Sequence, residues 1–564
     1  MSPTEPGPAP VAAPHREATA RALITGAALG AVLAAAGVYA GLKTSLVDGG
    51  GIAAALVGFM LFSGARHRYG TLENNITATT AASAGVMAFV VGVAGPIPAL
   101  GLMGITLPGW SVAVLGTAVG VLGVAAGMLL RRKLIVDDAL PFPTGNATAE
   151  IIETIHAARA SALRRAVILV VAATLAMLVT WFRDGAPTFI PQMTAIGGMV
   201  GGFTAASLML GISWSPVLLG TGAMMGLRAA ASMLIGGIVA WVALAPWLVR
   251  NGIVRELGYG PLSSWLVWPG LGLLIAGSFV PLLLRLGSVL RSLRDLGSIM
   301  DRRRGDSRLT LLAIAGVLVV VLSCWHIGVR PGVALLALLV ALLLANVSAR
   351  ATGETDIGPV GAVGLLTQLA FAAGGPLTAM VAGWISTGTS SQAAQTLWAF
   401  KAGQRLDSSP RAQVGAQLLG ALVGGAVVVP VYIVIVKSYG IGTEAMPAAS
   451  ALSWKAMAEA VGGGLPPYGP LAGVIGLGVG TVLALLERTG VGRFVPSPAA
   501  IGLAMLIPAS YSVTAVAGAL LVIAARRLRP ALAEALAFTA AAGCIAGESI
   551  MGVIIAALKW TGVL

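Results

Sequence analysis

The sequence predicts an all-α polytopic membrane protein, with about sixteen transmembrane helices in two repeated halves that contain broken or re-entrant helices. Three observations carry that prediction. Of 564 residues, 57% are hydrophobic and only 10% charged, against about 25% charged in soluble domains. Apolar runs near the ~20 residues that cross a bilayer recur along the whole chain. Blocks of the first half also return, in order, in the second.

Taken in order, the first 19 residues are Pro- and Ala-rich and read as a disordered tail, without the basic region or cleavage site of a signal peptide. Spans follow at 20–42, 49–64, 77–104, 109–130, 164–182, 188–210, 229–249 and 265–284, closing a first repeat over 20–284. A basic linker, 285–308, contains "RSLRDLGSIMDRRRGDSR". The second repeat, 309–564, offers spans at 308–326, 328–347, 359–384, 413–436, 467–487, 496–525 and 533–558. Shorter apolar pieces at 140–157, 213–228, 385–400 and 461–470 are interrupted by Gly and Pro.

The net charge of +14 invites a nucleic-acid reading. Arg66, Arg68, Arg131, Arg132, Lys133, Arg526, Arg527, Arg529 and the linker instead sit at the ends of apolar runs, as topology signals do. They place both termini in the cytoplasm, and make the lipid bilayer, not nucleic acid, the partner. Cys324 and Cys544 lie inside apolar runs and give no disulfide framework. Glycines four apart, as in Gly197/Gly201 and Gly476/Gly480, let helices pack closely, and leave a homodimer as open as intramolecular packing.

The repeat is legible in four matches. "LFSGARHRYGTLENNI" is echoed by "LLANVSARATGETDIG", and "FPTGNATAEII" (142–152) by "ISTGTSSQAAQ" (385–395). "FIPQMTAIGG" (189–198) pairs with "FVPSPAAIGL" (494–503), and "SWSPV" (213–217) with "SYSVT" (510–514). Repeated halves with interrupted helices point to a secondary transporter that binds its substrate where the broken segments meet.

Polar residues inside such spans usually face a cavity and carry function. Glu73, Asn74 and Asn75 open a Thr-dotted helical stretch. They read either as an elaborate helix cap or, with three residues where a cap needs one, as a polar patch lining a substrate cavity. In "LPFPTGNATAEIIETIH", Pro141 and Pro143 block regular helix just ahead of a helix head at Thr144 and Asn146, with Glu150 on the helix. The partner segment repeats that head at Thr387, Ser390, Ser391 and Gln392 and ends at Lys401. Two Thr-Gly heads, one per half, fit broken helices whose N-termini face an anionic substrate group. Glu548 is a lone charge in its span. A carboxylate kept from water trades its charge for a proton, which a proton-coupling site requires; Glu73 and Glu150 are further candidates. Lys43 either snorkels to the interface or binds a carboxylate, and Tyr511 and Trp214 hold equivalent repeat positions.

No phosphate-binding loop supports an ATP-driven pump. His15, His67, His156 and His326 lack metal-site spacing, and no hydrolase constellation is present, so neither enzyme activity nor a metal or other cofactor is expected. A channel would need no alternating broken helices.

With "LENNITATTAASAG", "LPFPTGNATAE", "TGETDIGPVG", "TGTSSQAAQTLWAFKAGQRLDSSPRAQ" and "AGESIMGVIIAAL" in this order, the chain resembles a prokaryotic member of the oligopeptide transporter family, which includes the yellow-stripe-like metal-chelate transporters. The resemblance spans about 20–560. It implies proton-coupled import of small peptides, peptide-like molecules or metal complexes of amino-acid-derived chelators. Its motifs fall on Glu73–Asn75, Thr144–Glu150, Gly353–Asp356, Thr387–Gln392, Lys401 and Gly547–Glu548. The chain lacks the long N-terminal domain and the peptide-clade blocks of fungal and plant members. The Arg-, Ala- and Gly-rich composition points to a bacterial cytoplasmic membrane. Glu73→Gln and Glu548→Gln are each expected to leave the protein folded and impair transport.

Overall fold

Proline marks where many of the helices begin, since a first-turn residue needs no intrahelical N–H bond. Thr19 and Ser409 supply hydroxyl caps, accepting from the amides of Ala22 and Ala412. The computed structural model describes residues 17–47, 49–64, 69–284, 287, 307–356, 358–462 and 464–564. Most of the tail, Arg66, Arg68 and nearly all of the linker lie outside the described residues.

The first half contains α1 (Ala20–Thr44), α2 (Gly51–Phe62), α3 (Thr71–Gly85), α4 (Gly109–Arg131), α5 (Pro143–Ala157), α6 (Arg159–Asp184), α7 (Pro216–Ile238, continued to Arg250) and α8 (Tyr259–Leu283). The second contains α9 (Ser307–His326), α10 (Pro331–Thr355), α11 (Val360–Ala370), α12 (Pro376–Arg405), α13 (Pro410–Tyr439), α14 (Ala449–Gly462), α15 (Gly469–Leu486), α16 (Pro498–Met505), α17 (Ala509–Leu528) and α18 (Pro530–Trp560). Ten of the described helices are long and apolar enough to cross a membrane. The remaining expected passes are short or polar: α2 and α11 are half-length, and α12 is diluted by its Thr, Ser and Gln residues.

Two apolar cores organise the molecule. One joins α1, α4, α10, α12 and α13; the other joins α7, α8, α16 and the start of α17. Each core draws on both halves of the sequence, so the halves interleave in space. The bundles meet where the last turns of α1 and α13 touch α18: Tyr439 donates to the Gly552 carbonyl and Ser438 to that of Ala556.

Three departures from the sequence reading shape the site. Residues 188–210, expected as a span, instead form two short antiparallel pairs, β1 (Met193–Ala195) with β4 (Gly211–Ser213) and β2 (Met199–Val200) with β3 (Phe203–Thr204). Gly198, Gly201 and Gly202 take positive φ in the turns, which a continuous helix cannot accommodate.

The pieces 213–228 and 229–249 form one reversed unit. Before Gly226, α7 runs antiparallel to α18, with the Val217 amide donating to Glu548 Oε2 at 2.7 Å. After it, α7 runs alongside α16: Arg228 donates to the Val495 carbonyl, and Trp241 Nε1 to that of Ile507. Gly226 turns the chain with φ 81° and ψ 168°, a region essentially closed to residues with a Cβ.

The helix ends do not share a face as expected. Lys437 sits over the Trp560 ring, and Tyr439 packs on Tyr39 near the C-terminal end of α1. Ala20 and Trp560 therefore lie at opposite ends of the assembly.

Candidate functional site

Helix α2 begins inside the protein. Its 12 residues span about 18 Å, little more than half of a ~30 Å hydrocarbon core. Its far end stacks Phe62 on Tyr69 beside Arg21. The near end, at "GGG" 49–51, opens on a cavity of about 230 Å³. Gly49 is packed so tightly that a Cβ would lie 2.9 Å from both the Ala82 carbonyl oxygen and Gln395 Oε1.

The cavity lies between the bundles. Asn75 and Thr79 of α3, Thr144 and Thr148 of α5, and Gln395 and Trp398 of α12 form one wall, with Met224 of α7 and Phe538 of α18 facing them. Among the described residues, no Asp, Glu, Lys, Arg or His lines it. Asn75 is 1% exposed, and its Nδ2 has no hydrogen-bond partner. A buried polar group without a partner is costly and asks for a ligand or water.

Asp356 braces this wall from behind. Its carboxylate accepts from the Thr144 amide (3.0 Å), Thr144 Oγ1 (2.6 Å) and Trp398 Nε1 (2.9 Å). The head of α5 is thus already filled by a protein carboxylate, which suits the positive end of the helix.

Toward the opposite end, a buried ionic quartet joins the bundles. Glu548 Oε1 accepts from Lys43 Nζ at 2.8 Å and from Arg183 Nη2 at 2.9 Å. Its Oε2 accepts from Ser215 Oγ and the Val217 amide, both at 2.7 Å. Arg183 forks onto Asp184 through Nε (2.8 Å) and Nη2 (2.6 Å) and donates through Nη1 to the Trp214 carbonyl. Gln192, beside β1, donates to Asp184 at 2.6 Å. Two cations and two carboxylates balance, as a pairing this far from water requires.

The sequence-predicted residues divide. Asn75 and Thr144 line the cavity. Glu73 does not: Arg21 grips it through Nε (2.8 Å) and Nη2 (2.6 Å), while Thr19 Oγ1 and the Gly70 amide also donate to it, so it caps α3. Asn74 meets His156 at 3.2 Å. Asn146 donates to the Pro141 carbonyl, and Glu150 stands exposed, 3.8 Å from Arg405. Tyr511 is buried and donates to the Glu444 carbonyl at 2.9 Å. Lys401 packs against Gly145.

The second Thr-Gly head is corrected. Thr387, Ser390, Ser391 and Gln392 lie in the middle of the continuous helix α12, since no proline interrupts the chain between Pro376 and Pro410. There Gln392 donates to Ser83 Oγ at 2.8 Å and to Gln417 Oε1 at 3.2 Å, tying α12 to α3 and α13. The residues that sequence reasoning missed are Gly49–Gly51, Gln395 and the pair Arg183–Asp184. The glycine triplet was the available signal.

A family profile described as OPT oligopeptide transporter protein matches residues 17–559. A Haemophilus influenzae protein named as an oligopeptide transporter is 26% identical, over 92% of this chain and 92% of its own. A Saccharomyces cerevisiae protein with the same kind of name is 24% identical, over 88% of this chain and 90% of its own. A rice protein named as a metal-nicotianamine transporter is 25% identical, over 94% of this chain and 88% of its own.

Proposed function

The chain belongs to the OPT oligopeptide transporter family, and from that membership we propose that it is a proton-coupled importer of small oligopeptides or peptide-like molecules in a bacterial cytoplasmic membrane. The observation that carries this reading is the cavity between the bundles. Its wall offers the amide and hydroxyl side chains of Asn75, Thr79, Thr144, Thr148 and Gln395, with no formally charged group among the described residues. Such a surface suits the amides of a peptide backbone and gives no foothold to a bare metal ion.

Import then requires the bundles to part on the side the quartet closes. Separation strips Glu548 of Lys43 and Arg183. A carboxylate deprived of both cations in a low-dielectric site takes up a proton, which couples opening to the proton gradient. Glu73 and Glu150 are the remaining carboxylate candidates from the sequence.

The similarity to a rice metal-nicotianamine transporter favours a second reading, import of an intact metal chelate. Uptake into proteoliposomes under an imposed inward proton gradient tests both. Labelled di- to tetrapeptides that accumulate, and stop when the gradient collapses, support the peptide reading. Accumulation of a labelled iron–chelate complex alone replaces it with the second.

A further inference from the structure

We propose that the groove along the first turns of α18 binds one acidic phospholipid, with an acyl chain laid in the groove and the phosphate held by arginines at its head. The groove shares no lining residue with the cavity between the bundles.

Helix α18 packs on both α6 and α17, and the groove, about 370 Å³ in volume, runs along it between them. Ile168 of α6, Leu528 of α17 and Leu532 and Leu536 of α18 line its sides, while the small Ala533 and Ala537 leave it depth. Every lining residue except Arg529 is apolar. On α18 the lining residues recur at every third or fourth position, so the groove follows one helix face. From Arg529 to Ala540 it covers about 16 Å of rise, close to one leaflet of a ~30 Å hydrocarbon core. Leu528 and Leu532 stand 82% and 44% exposed, so the groove opens sideways to the bilayer.

Any lipid tail fits an apolar groove; the charge at its head selects the lipid. Arg526 and Arg527 close α17, Arg529 opens α18, and Arg164 and Arg165 lie about one turn before Ile168 on α6. Among the described residues, none of these five side chains meets an acidic partner. Arg21 and Arg228, by contrast, are held by Glu73 and Glu487. Since α18 runs from Pro530 to Trp560, the cluster gathers at the Ala20 end of the assembly, at a helix terminus where headgroups lie. Basic pockets between transmembrane helices hold acidic headgroups there, and arginine forks onto phosphate oxygens. A zwitterionic headgroup would carry its own cation into the cluster and bind less well.

The test is native mass spectrometry of the full-length protein, stripped of lipid in detergent. It is titrated with phosphatidylglycerol or with phosphatidylethanolamine of the same acyl chains. Wild-type protein should hold one phosphatidylglycerol at least about tenfold more tightly than phosphatidylethanolamine. Arg165→Gln combined with Arg529→Gln should cut that preference to about twofold or less. Ala537→Phe, which fills the groove, should weaken both lipids together. Where that variant does not fold, Leu532→Asn, at a half-exposed position, should do the same. Arg493→Gln, whose charge lies outside the groove, should leave the preference intact. Equal binding of the two lipids by the wild type overturns the site. So does a preference that survives the double arginine variant, or a groove variant that binds phosphatidylglycerol as the wild type does. A dimer that forms in place of the lipid complex assigns the groove to a second copy of the chain and also overturns it.

Discussion

Arg183 and Glu548 stand 365 positions apart in sequence and 2.9 Å apart in space, with both side chains almost wholly out of water. Lys43 joins them from a third helix, so three stretches of chain from both bundles share one carboxylate. Removing one member of a buried, hydrogen-bonded charge group costs about 3–5 kcal/mol, because the remainder is left uncompensated.

Glu548→Gln should therefore lower the melting temperature and abolish gradient-driven uptake, while Lys43→Met combined with Glu548→Gln restores charge balance and recovers part of the stability. Thermal unfolding of the two single variants and the double variant in detergent measures the coupling. Strictly additive losses would show that the quartet does not act as a unit.

Asp356→Asn should loosen the wall rather than the fold. It replaces a carboxylate cap by a neutral one at the head of α5 and weakens the hold on Trp398, a loss of about 1 kcal/mol. The expected result is a raised KM for uptake with the maximal rate largely kept. A variant with unchanged KM would separate Asp356 from the cavity.

Gly226→Ala places a Cβ where φ is 81° and ψ 168°. The strain should cost about 1–3 kcal/mol. Space is not the obstacle, because nothing lies within 4 Å of that Cβ, so the whole effect is conformational. Hydrogen exchange in α7 should rise on both sides of position 226. Exchange unchanged from wild type would contradict the hairpin.

Glu73→Gln separates two readings of the same residue. Since Arg21, Thr19 and Gly70 hold its carboxylate, the variant should lose stability, by about 1 kcal/mol given the partial exposure of Arg21. Its KM should stay within about twofold of wild type, less than half a kcal/mol in affinity. A selective rise in KM with an unchanged melting curve would return Glu73 to the transport pathway.

Composition made the membrane class legible, because hydrocarbon leaves no other use for so many long apolar runs. Glu548 was legible too, as a lone charge in such a run. Of its partners, Lys43 was half legible, as a residue that would either snorkel or bind a carboxylate, while Arg183 and Asp184 were not: they sat at the end of another span, where charge ordinarily marks the interface, and only tertiary packing brings them inward. The stretch 188–210 had the length and apolarity of a span, but its paired glycines decided for turns. Thr144 and Thr387 sat in matching motifs, yet Pro141 and Pro143 break the chain before the first and nothing breaks it before the second. Local signals of the same kind thus ended as a helix head at one site and as a buried polar stripe at the other.

The placement of Ala20 and Trp560 at opposite ends of the assembly has a practical consequence. A reporter that matures in only one cellular compartment, fused ahead of Ala20, would report the opposite signal from the same reporter fused beyond Trp560. Any partner recruited through one tail would sit at the opposite end of the assembly from a partner recruited through the other.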